Sequence, residues 1–440
     1  MSWATLRADA LACHGAALEA ARPGRLVTRS LDHARGTLRL RGHGGELLAE
    51  HAGPLLVVGA GKAALAMARA AAEAAGDACA GGLVIVPHGG GGSCPGGVEV
   101  ATAAHPVPDA ASEAASGRLL GLVAAADART LVLVVLSGGG SSLLVAPAEG
   151  LALADKQDLG ARLLASGADV TALNVVRKHC SRVKGGGLAR HAVGTAGLWT
   201  LVLSDVVGDD PATIGSGPTV GDPSTFRDAA AVLARYVAQD DVPARVRTHI
   251  ERGCAGAVPE TVKPGDPALV RAVTVVVGGN RDVVAAAAAA ASARGYATQV
   301  VPEPLTGDAA RAGRALAARL RAARGPFALV AGGETTVRAR PGGRGGRSQQ
   351  LALAAAPVLE GEPCVLLAAG TDGVDGPTDA AGACVDGGTS ARARALGLDP
   401  AAALVATDSH PLLDATGDLL RTGPTGTNVA DLVVALRAAC

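Results

Sequence analysis

Aromatic side chains are nearly missing from this chain of 440 residues, which has two Trp, two Tyr and two Phe. So few rings exclude stacking cages for bases or sugars, and they leave the core to Ala, Val and Leu. A net charge is missing as well, because 40 basic residues face 40 acidic ones. Without a field of one sign, neither a nucleic-acid partner nor a membrane partner is expected. The eight cysteines, Cys13, Cys79, Cys94, Cys180, Cys254, Cys364, Cys384 and Cys440, form no CxxC pair and no cluster at zinc spacing. They read as reduced, mostly buried thiols of a cytosolic protein. No uncharged apolar run reaches membrane-spanning length, and Arg7 and Asp9 interrupt the N-terminal stretch where a signal peptide would need continuity.

What is present is apolar and rich in turns: 49% hydrophobic residues, 61 Gly and 24 Pro. That composition describes a folded globular chain, and its length exceeds what one core sustains, so two domains are expected. Short Val/Leu runs (55–58, 83–86, 131–136, 201–203, 273–277, 328–331, 365–368) end in glycine-rich loops and lead into Ala-rich stretches of helical length. This alternation predicts βα units feeding parallel sheets, with ligand-binding loops beyond the carboxyl ends of the strands. The polar, proline-containing stretch 239–266 reads as the passage between domains, giving 1–250 and 265–440.

The loops carry the chemistry. PLLVVGAGKAALAMA sets Gly59, Gly61 and Ala64 in a GxGxxA pattern, which by itself suggests a dinucleotide. However, the next strand ends in Pro87 and His88 instead of a ribose-binding acid, and Lys62 stands inside the turn. Nor is it a Walker A loop, since Ala63 follows the lysine. A helix N-terminus with free N–H groups and a cation aimed at an anion remains, beside the plainer reading of a tight turn with a solvated lysine. In LVLVVLSGGGSSLLVAP, Ser137, Gly138, Gly139, Gly140, Ser141 and Ser142 make a nest for a phosphate or carboxylate; the GxSxG elbow of a nucleophilic serine is absent.

LNVVRKHCSRVKGGGLAR follows, with Arg177, Lys178, Arg182 and Lys184 spaced over about two helical turns, so that Arg177 and Lys184 share a face. Few acids stand nearby, which favours anion binding over a solvated surface. LSDVVGDDPATIGSGPTVGDPSTF gathers Asp205, Asp209, Asp210 and Asp222 with Thr213, Ser216 and Thr219. Asp205, at a strand end, is best placed for Mg²⁺; several of the others suit helix or turn capping. The second half adds GGETTVRARPGGRGGRSQQLALAAA, AAGTDGVDGPTDAAGACVD and TGPTGTNVADL. Arg338, Arg344 and Arg347 could neutralise phosphoryl oxygens, Asp372, Asp375 and Asp379 could bind metal or act as base, and Thr422, Thr425, Thr427 and Asn428 offer neutral donors.

Taken in order, these seven blocks closely resemble the signature segments of bacterial glycerate 2-kinases that end in a MOFRL domain, over about 55–432. The resemblance implies an α/β fold of two domains, a Rossmann-like three-layer N-terminal domain and a C-terminal α/β domain containing MOFRL, with the active site in a cleft between them. It implies ATP- and Mg²⁺-dependent conversion of D-glycerate to 2-phosphoglycerate, and it leaves room for a homodimer. Lys62 and Arg347 match the lysine and arginine regarded as active-site residues in that family. With them, Asp205 and Asp209 are assigned to catalysis, and Asp205 and Asp372 to metal. Gly61, Ser137, Gly138, Gly139, Ser141, Ser142, Arg177, Lys184, Thr425 and Asn428 are assigned to substrate or phosphate. Ser216, Thr219, Gly333, Glu334 and Asp372 are assigned to nucleotide. Where the family continues GGRNQE, this chain has Ser348, Gln349 and Gln350, losing a carboxylate and an amide. Three other readings stay open: an NAD(P)H-dependent hydroxypyruvate reductase, a kinase for a related 2-hydroxy acid, and a non-catalytic sugar-phosphate-binding protein.

Overall fold

The computed structural model describes residues 2–439, so Cys440 lies outside the described residues. The chain forms two compact units, one of Pro23–Val277 and one that joins Met1–Arg22 to Gly278–Cys440.

In the first unit the apolar runs form a six-stranded sheet in the order Val98–Ala103, Cys79–Pro87, Leu55–Ala60, Leu131–Leu136, Gly197–Leu203, Ala272–Gly278. The first five strands pair in parallel. Central strands buried along their whole length read as unbroken apolar runs because both faces of a parallel sheet are covered. Leu56, Val58 and Ala60 pack with Leu119, Leu120 and Val123 of helix Ala110–Ala125. Leu55 and Val57 alternate to the other face, where helix Ala64–Ala75 buries Met67, Ala68 and Ala71. The order is that of a Rossmann sheet, whose topological switch point falls between Leu55–Ala60 and Leu131–Leu136. Both glycine loops leave the sheet there.

The stretch 239–266 is not a passage between units. It contains helix Ala244–Cys254, whose Val246 and Ile250 join a helical core with Leu159, Leu163, Leu173, Val176, Phe226 and Leu233. Pro243 is the N-cap residue of that helix, and beyond it the chain passes to the other unit at Val277/Gly278.

The second unit departs from the expected parallel sheet. Its order is Ala297–Val300, Phe327–Gly333, Asp431–Arg437, Cys364–Gly370, Gly382–Asp386, Leu419–Leu420, and only the first pair is parallel. The last strand of the chain is inserted antiparallel between two strands that run the same way, which brings its first residue, Asp431, opposite both Gly333 and Gly370. No pattern of apolar residues encodes that insertion, since a buried strand reads the same in either direction.

Helix Trp3–Ala20 belongs to this second unit. Leu6, Ala10, Cys13 and Ala17 are buried, and the Arg7 guanidinium binds the buried carboxylates of Asp386 and Asp418. His14 lies on the same face with its Nε2 unpartnered, and burial pushes its imidazole down to about 4. An unfolded histidine titrates near 6.5, so the folded state binds fewer protons between pH 6.5 and 4 and loses stability as pH falls through that window. His14→Leu should remove about 3 kcal/mol of this acid sensitivity by pH 4. Urea midpoints of wild type and variant at pH 7 and pH 4 measure it.

Candidate active site

At the switch point the two glycine loops are laced together. Ser137 N–H donates to Ala60 O (3.2 Å), Lys62 N–H to Gly138 O (2.9 Å) and Ala63 N–H to Ser137 Oγ (2.9 Å). Gly61 N–H donates to Ile85 O (3.1 Å) and Ala64 N–H to Gly61 O (3.2 Å). The amides of residues 61–64 are therefore all spent inside the protein, which corrects the expectation of a helix N-terminus with free N–H groups. Gly61 is a packing glycine, not a phosphate ligand: a Cβ on it would lie 2.2 Å from Ser137 Oγ. What the turn delivers is the half-buried Lys62.

The second loop keeps its donors. Among the described residues, the N–H groups of Gly138, Gly139 and Ser141 meet no protein acceptor, whereas Gly140 and Ser142 bond back to Ser137 O and Gly139 O. Gly139 takes the left-handed conformation (φ 82°) that lets the chain turn into the short helix Gly140–Leu143. Successive open amides in such a turn make an oxyanion nest. Of the serines, Ser137 is buried and holds Ala63, Ser142 Oγ donates to Gly139 O (3.1 Å), and Ser141 Oγ meets Ser216 Oγ at 2.9 Å.

Beneath the nest lies Lys184. Its Nζ donates to Ser141 O (2.7 Å), Ser141 Oγ (3.0 Å) and Gly215 O (3.4 Å), and the residue is 3% exposed. Burial, with Lys156 and Arg177 nearby, pushes the ammonium well below its usual pKa. Lys184 is thus a pin under the loop with its three donors engaged, and not an open phosphate ligand. Lys184→Met keeps the length of the side chain and removes the burial of a charge. Stability at pH 7 should therefore change by no more than about 1 kcal/mol, while the unpinned nest lowers kcat/KM at least about 100-fold. Thermal melts and initial rates on one preparation check both parts.

The helix Val170–His179 ends before Arg182 and Lys184, so the helical face shared by Arg177 and Lys184 does not exist. Arg177 is half buried, and its pKa is lowered by burial. Lys178 pairs with buried Asp222, which also accepts from Ser224 and Thr261 and so fastens the segment 222–261. Ser216 is fully buried and donates to Asn174 Oδ1 (2.9 Å), and Thr219 accepts from Thr200 (2.9 Å). Both were expected at nucleotide. Ser216 instead supports the nest from below, and Thr219 is a core partner. Asp205 follows the strand Gly197–Leu203 at the nest's end of the sheet and is half exposed; Asp209 is held at φ 54°.

His105 was missed in the sequence, yet its ring lies 2.9 Å from where a Cβ on Gly139 would stand, a point itself 3.6 Å from Lys62 Cγ. The segment HPVPD, following an apolar strand in the manner of the other loops, was the available signal.

In the second unit the antiparallel last strand builds a charged knot. Arg347 opens helix Arg347–Ala355; its Nε and Nη2 reach Asp431 (2.6 and 2.9 Å) and its Nη1 reaches Glu334 (2.7 Å). Burial opposes the Arg347 charge, but Asp431, Glu334 and Asp375 outweigh it and raise the guanidinium pKa. Asp431 also shifts up, to about 6, because burial and the neighbouring acids Asp375 and Glu334 outweigh its bond to Arg347. One cation shared by three carboxylates explains why both partners move in the same direction. Asp431 was missed because an aspartate opening an apolar strand looks like a turn residue. Asp375 accepts from Ser348 N–H (3.0 Å) and Gln349 N–H (2.8 Å), so it caps the Arg347 helix and is no metal ligand or base. Asp379 is likewise taken, by His410 (2.8 Å) and Arg421 (2.9 Å).

Asp372 and Asn428 are half exposed at the same end of this sheet. Thr425 donates to Thr371 O (2.5 Å) and ties the loop, and Gly333 packs against the Leu305 backbone, so neither is an open ligand. Ser348, Gln349 and Gln350 are all buried, and Gln350 Nε2 donates to Leu404 O (2.9 Å), a bond no glutamate could make. The amide nitrogen of Gln350 is thus used locally, while its Oε1 is buried without a hydrogen-bond partner. Among the described residues no three His, Cys, Asp or Glu side chains gather as a metal cluster.

Comparison with known proteins bears on the family and the fold. Residues 9–251 match the family model described as a domain of unknown function, DUF4147, and residues 327–431 match the MOFRL family. The glycerate 2-kinase of Pyrococcus horikoshii is 38% identical over 96% of this chain and 95% of its own. This chain belongs to the glycerate 2-kinase family. The D-glycerate 2-kinase of Thermotoga maritima is 40% identical over 87% of this chain and 90% of its own. The crystal structure of a glycerate kinase from Thermotoga maritima superposes with a TM-score of 0.84 at 37% identity, covering 98% of this chain and 99% of that one. A protein of Agrobacterium vitis carrying a provisional hydroxypyruvate reductase name is 43% identical over 86% of each chain. No described helix is long and apolar enough to cross a membrane.

Proposed function

We propose that this member of the glycerate 2-kinase family transfers the γ-phosphoryl group of ATP to the 2-hydroxyl of D-glycerate, giving 2-phosphoglycerate and ADP. The observation that carries the reading is the nest at the switch point: three backbone N–H groups, of Gly138, Gly139 and Ser141, without protein acceptors, next to Lys62. Such donors suit the non-bridging oxygens of a phosphoryl group, whose transfer depends mainly on positioning and charge stabilisation.

Lys62 supplies a positive charge in the first unit, and Arg347, fixed by Asp431, supplies one in the second. Mg²⁺ takes one or two carboxylates and keeps water and phosphate oxygens in its other positions, so it needs no three-ligand cluster of side chains. Asp205 of the first unit and Asp372 of the second are the candidate carboxylates, and the ion would neutralise charge on the phosphates. Asp209 remains the candidate to orient the 2-hydroxyl and accept its proton.

Purified protein given ATP, Mg²⁺ and D-glycerate should form a product that enolase consumes, read as phosphoenolpyruvate absorbance. Absence of any phosphorylated product would overturn the proposal. The Agrobacterium relative motivates the reductase alternative. The spent amides of residues 61–64 argue against it, since a dinucleotide pyrophosphate needs them open. Hydroxypyruvate should therefore cause no loss of NADH absorbance.

A further inference from the structure

The basic run of residues 177–184 is only partly used by the nest. Its other side opens into a cavity of about 630 Å³ within the first unit, bounded by the ends of helices Val170–His179 and Ala244–Cys254. We propose that this cavity is a second anion site, separate from the nest, for a small multiply charged ligand of the phosphate-ester class.

Three guanidinium groups line it without a carboxylate partner. Arg182 Nε donates to Pro147 O (3.0 Å), Arg190 Nη2 to Glu260 O (2.9 Å), and the Arg252 guanidinium makes no hydrogen bond with another described residue. His191 lines it too, its Nδ1 bonded to Gly187 O (2.8 Å), which leaves Nε2 for a ligand. Two carboxylates stand against these. Glu260 is neutralised by Lys263 Nζ (3.1 Å) and further engaged by His179 Nε2 and Phe226 N–H, whereas Glu149 is exposed and has no cationic partner. Arginines gathered around a concavity with unspent N–H donors match the oxygens of a phosphate, and the volume suits a phosphorylated acid of few carbons with its waters. Lys184 is the shared wall: it lines this cavity and holds Ser141 of the nest, so a bound anion here acts on the ammonium that shapes the other site.

Titration calorimetry of the full chain with inorganic phosphate tests the proposal. Arg190→Gln with Arg252→Gln should weaken one phosphate equivalent about 100-fold, tenfold for each lost charge-assisted contact, without lowering the melting temperature. Glu149→Gln should tighten the same equivalent about threefold, because it removes the unpaired carboxylate of the lining. Identical isotherms for wild type and the arginine double variant, weaker binding in Glu149→Gln, or no phosphate binding by wild type would each overturn it.

Discussion

Gly61→Ala should abolish activity and destabilise the first unit, although it adds a single methyl group. The new Cβ would stand 2.2 Å from Ser137 Oγ and 2.6 Å from Ser137 O, and the residue is held at φ 138°, which L side chains rarely adopt. The hydroxyl can rotate away, but the backbone carbonyl cannot, so the two loops must separate. That breaks the bonds from Lys62 N–H to Gly138 O and from Ala63 N–H to Ser137 Oγ, which hold Lys62 beside the nest. A loss of about 3 kcal/mol in folding stability and of at least about 1,000-fold in kcat/KM is expected. Gly117→Ala is the control, since Gly117 lies exposed in helix Ala110–Ala125 with nothing within 4 Å of an added Cβ. That variant should gain about 0.5–1 kcal/mol and keep full activity. Urea unfolding and initial rates of the two variants check a contrast that rests on geometry alone.

Arg347→Ala should have the second largest effect, on both properties. Removing the guanidinium leaves Asp431, 8% exposed, without its bidentate partner and beside Asp375 and Glu334. Breaking a fully buried pair costs about 3–5 kcal/mol; with Arg347 itself 35% exposed, about 2–3 kcal/mol is expected. The sign of the pH dependence follows. Asp431 already titrates near 6 in the folded protein, against the usual carboxylate range when unfolded, so ionising it opposes folding as pH rises. Without Arg347 its pKa climbs further, and the variant should lose stability relative to wild type between pH 6 and pH 8. Activity should fall about 100-fold or more, because the positive charge that Arg347 supplies is removed. Arg347→Lys should recover part of the stability but little of the activity, since an ammonium cannot bridge Asp431 and Glu334 in the same fork.

Much of this site was legible in the sequence because strand, glycine loop and helix follow one another in chain order. The runs at 55–58 and 131–136 and the loops after them were found from composition and periodicity, and the structure sets those loops side by side at the switch point. What stayed hidden is which donors remain open. GAGK and SGGGSS both look like anion-binding turns, yet the amides of Lys62 and Ala63 are consumed by the second loop, and that depends on a contact between segments some 75 residues apart. Lys184 misled for a related reason: a lysine near glycines reads as a phosphate ligand until burial and three acceptors turn it into a pin. The second unit was harder still. Asp431 gains its meaning only from the antiparallel insertion of the last strand between two others, and helix Trp3–Ala20 joins that unit through Arg7, Asp386 and Asp418, which lie far apart in sequence.

On the proposed function, the nest and Lys62 serve phosphoryl transfer to the secondary hydroxyl of glycerate. The proton-coupled ³¹P spectrum of the product tests it most directly, because an ester on C2 sees one neighbouring proton and an ester on C3 sees two. A doublet formed from ATP and D-glycerate, and lost in Lys62→Ala, is the expected result; a triplet, or no phosphoester at all, would contradict the account.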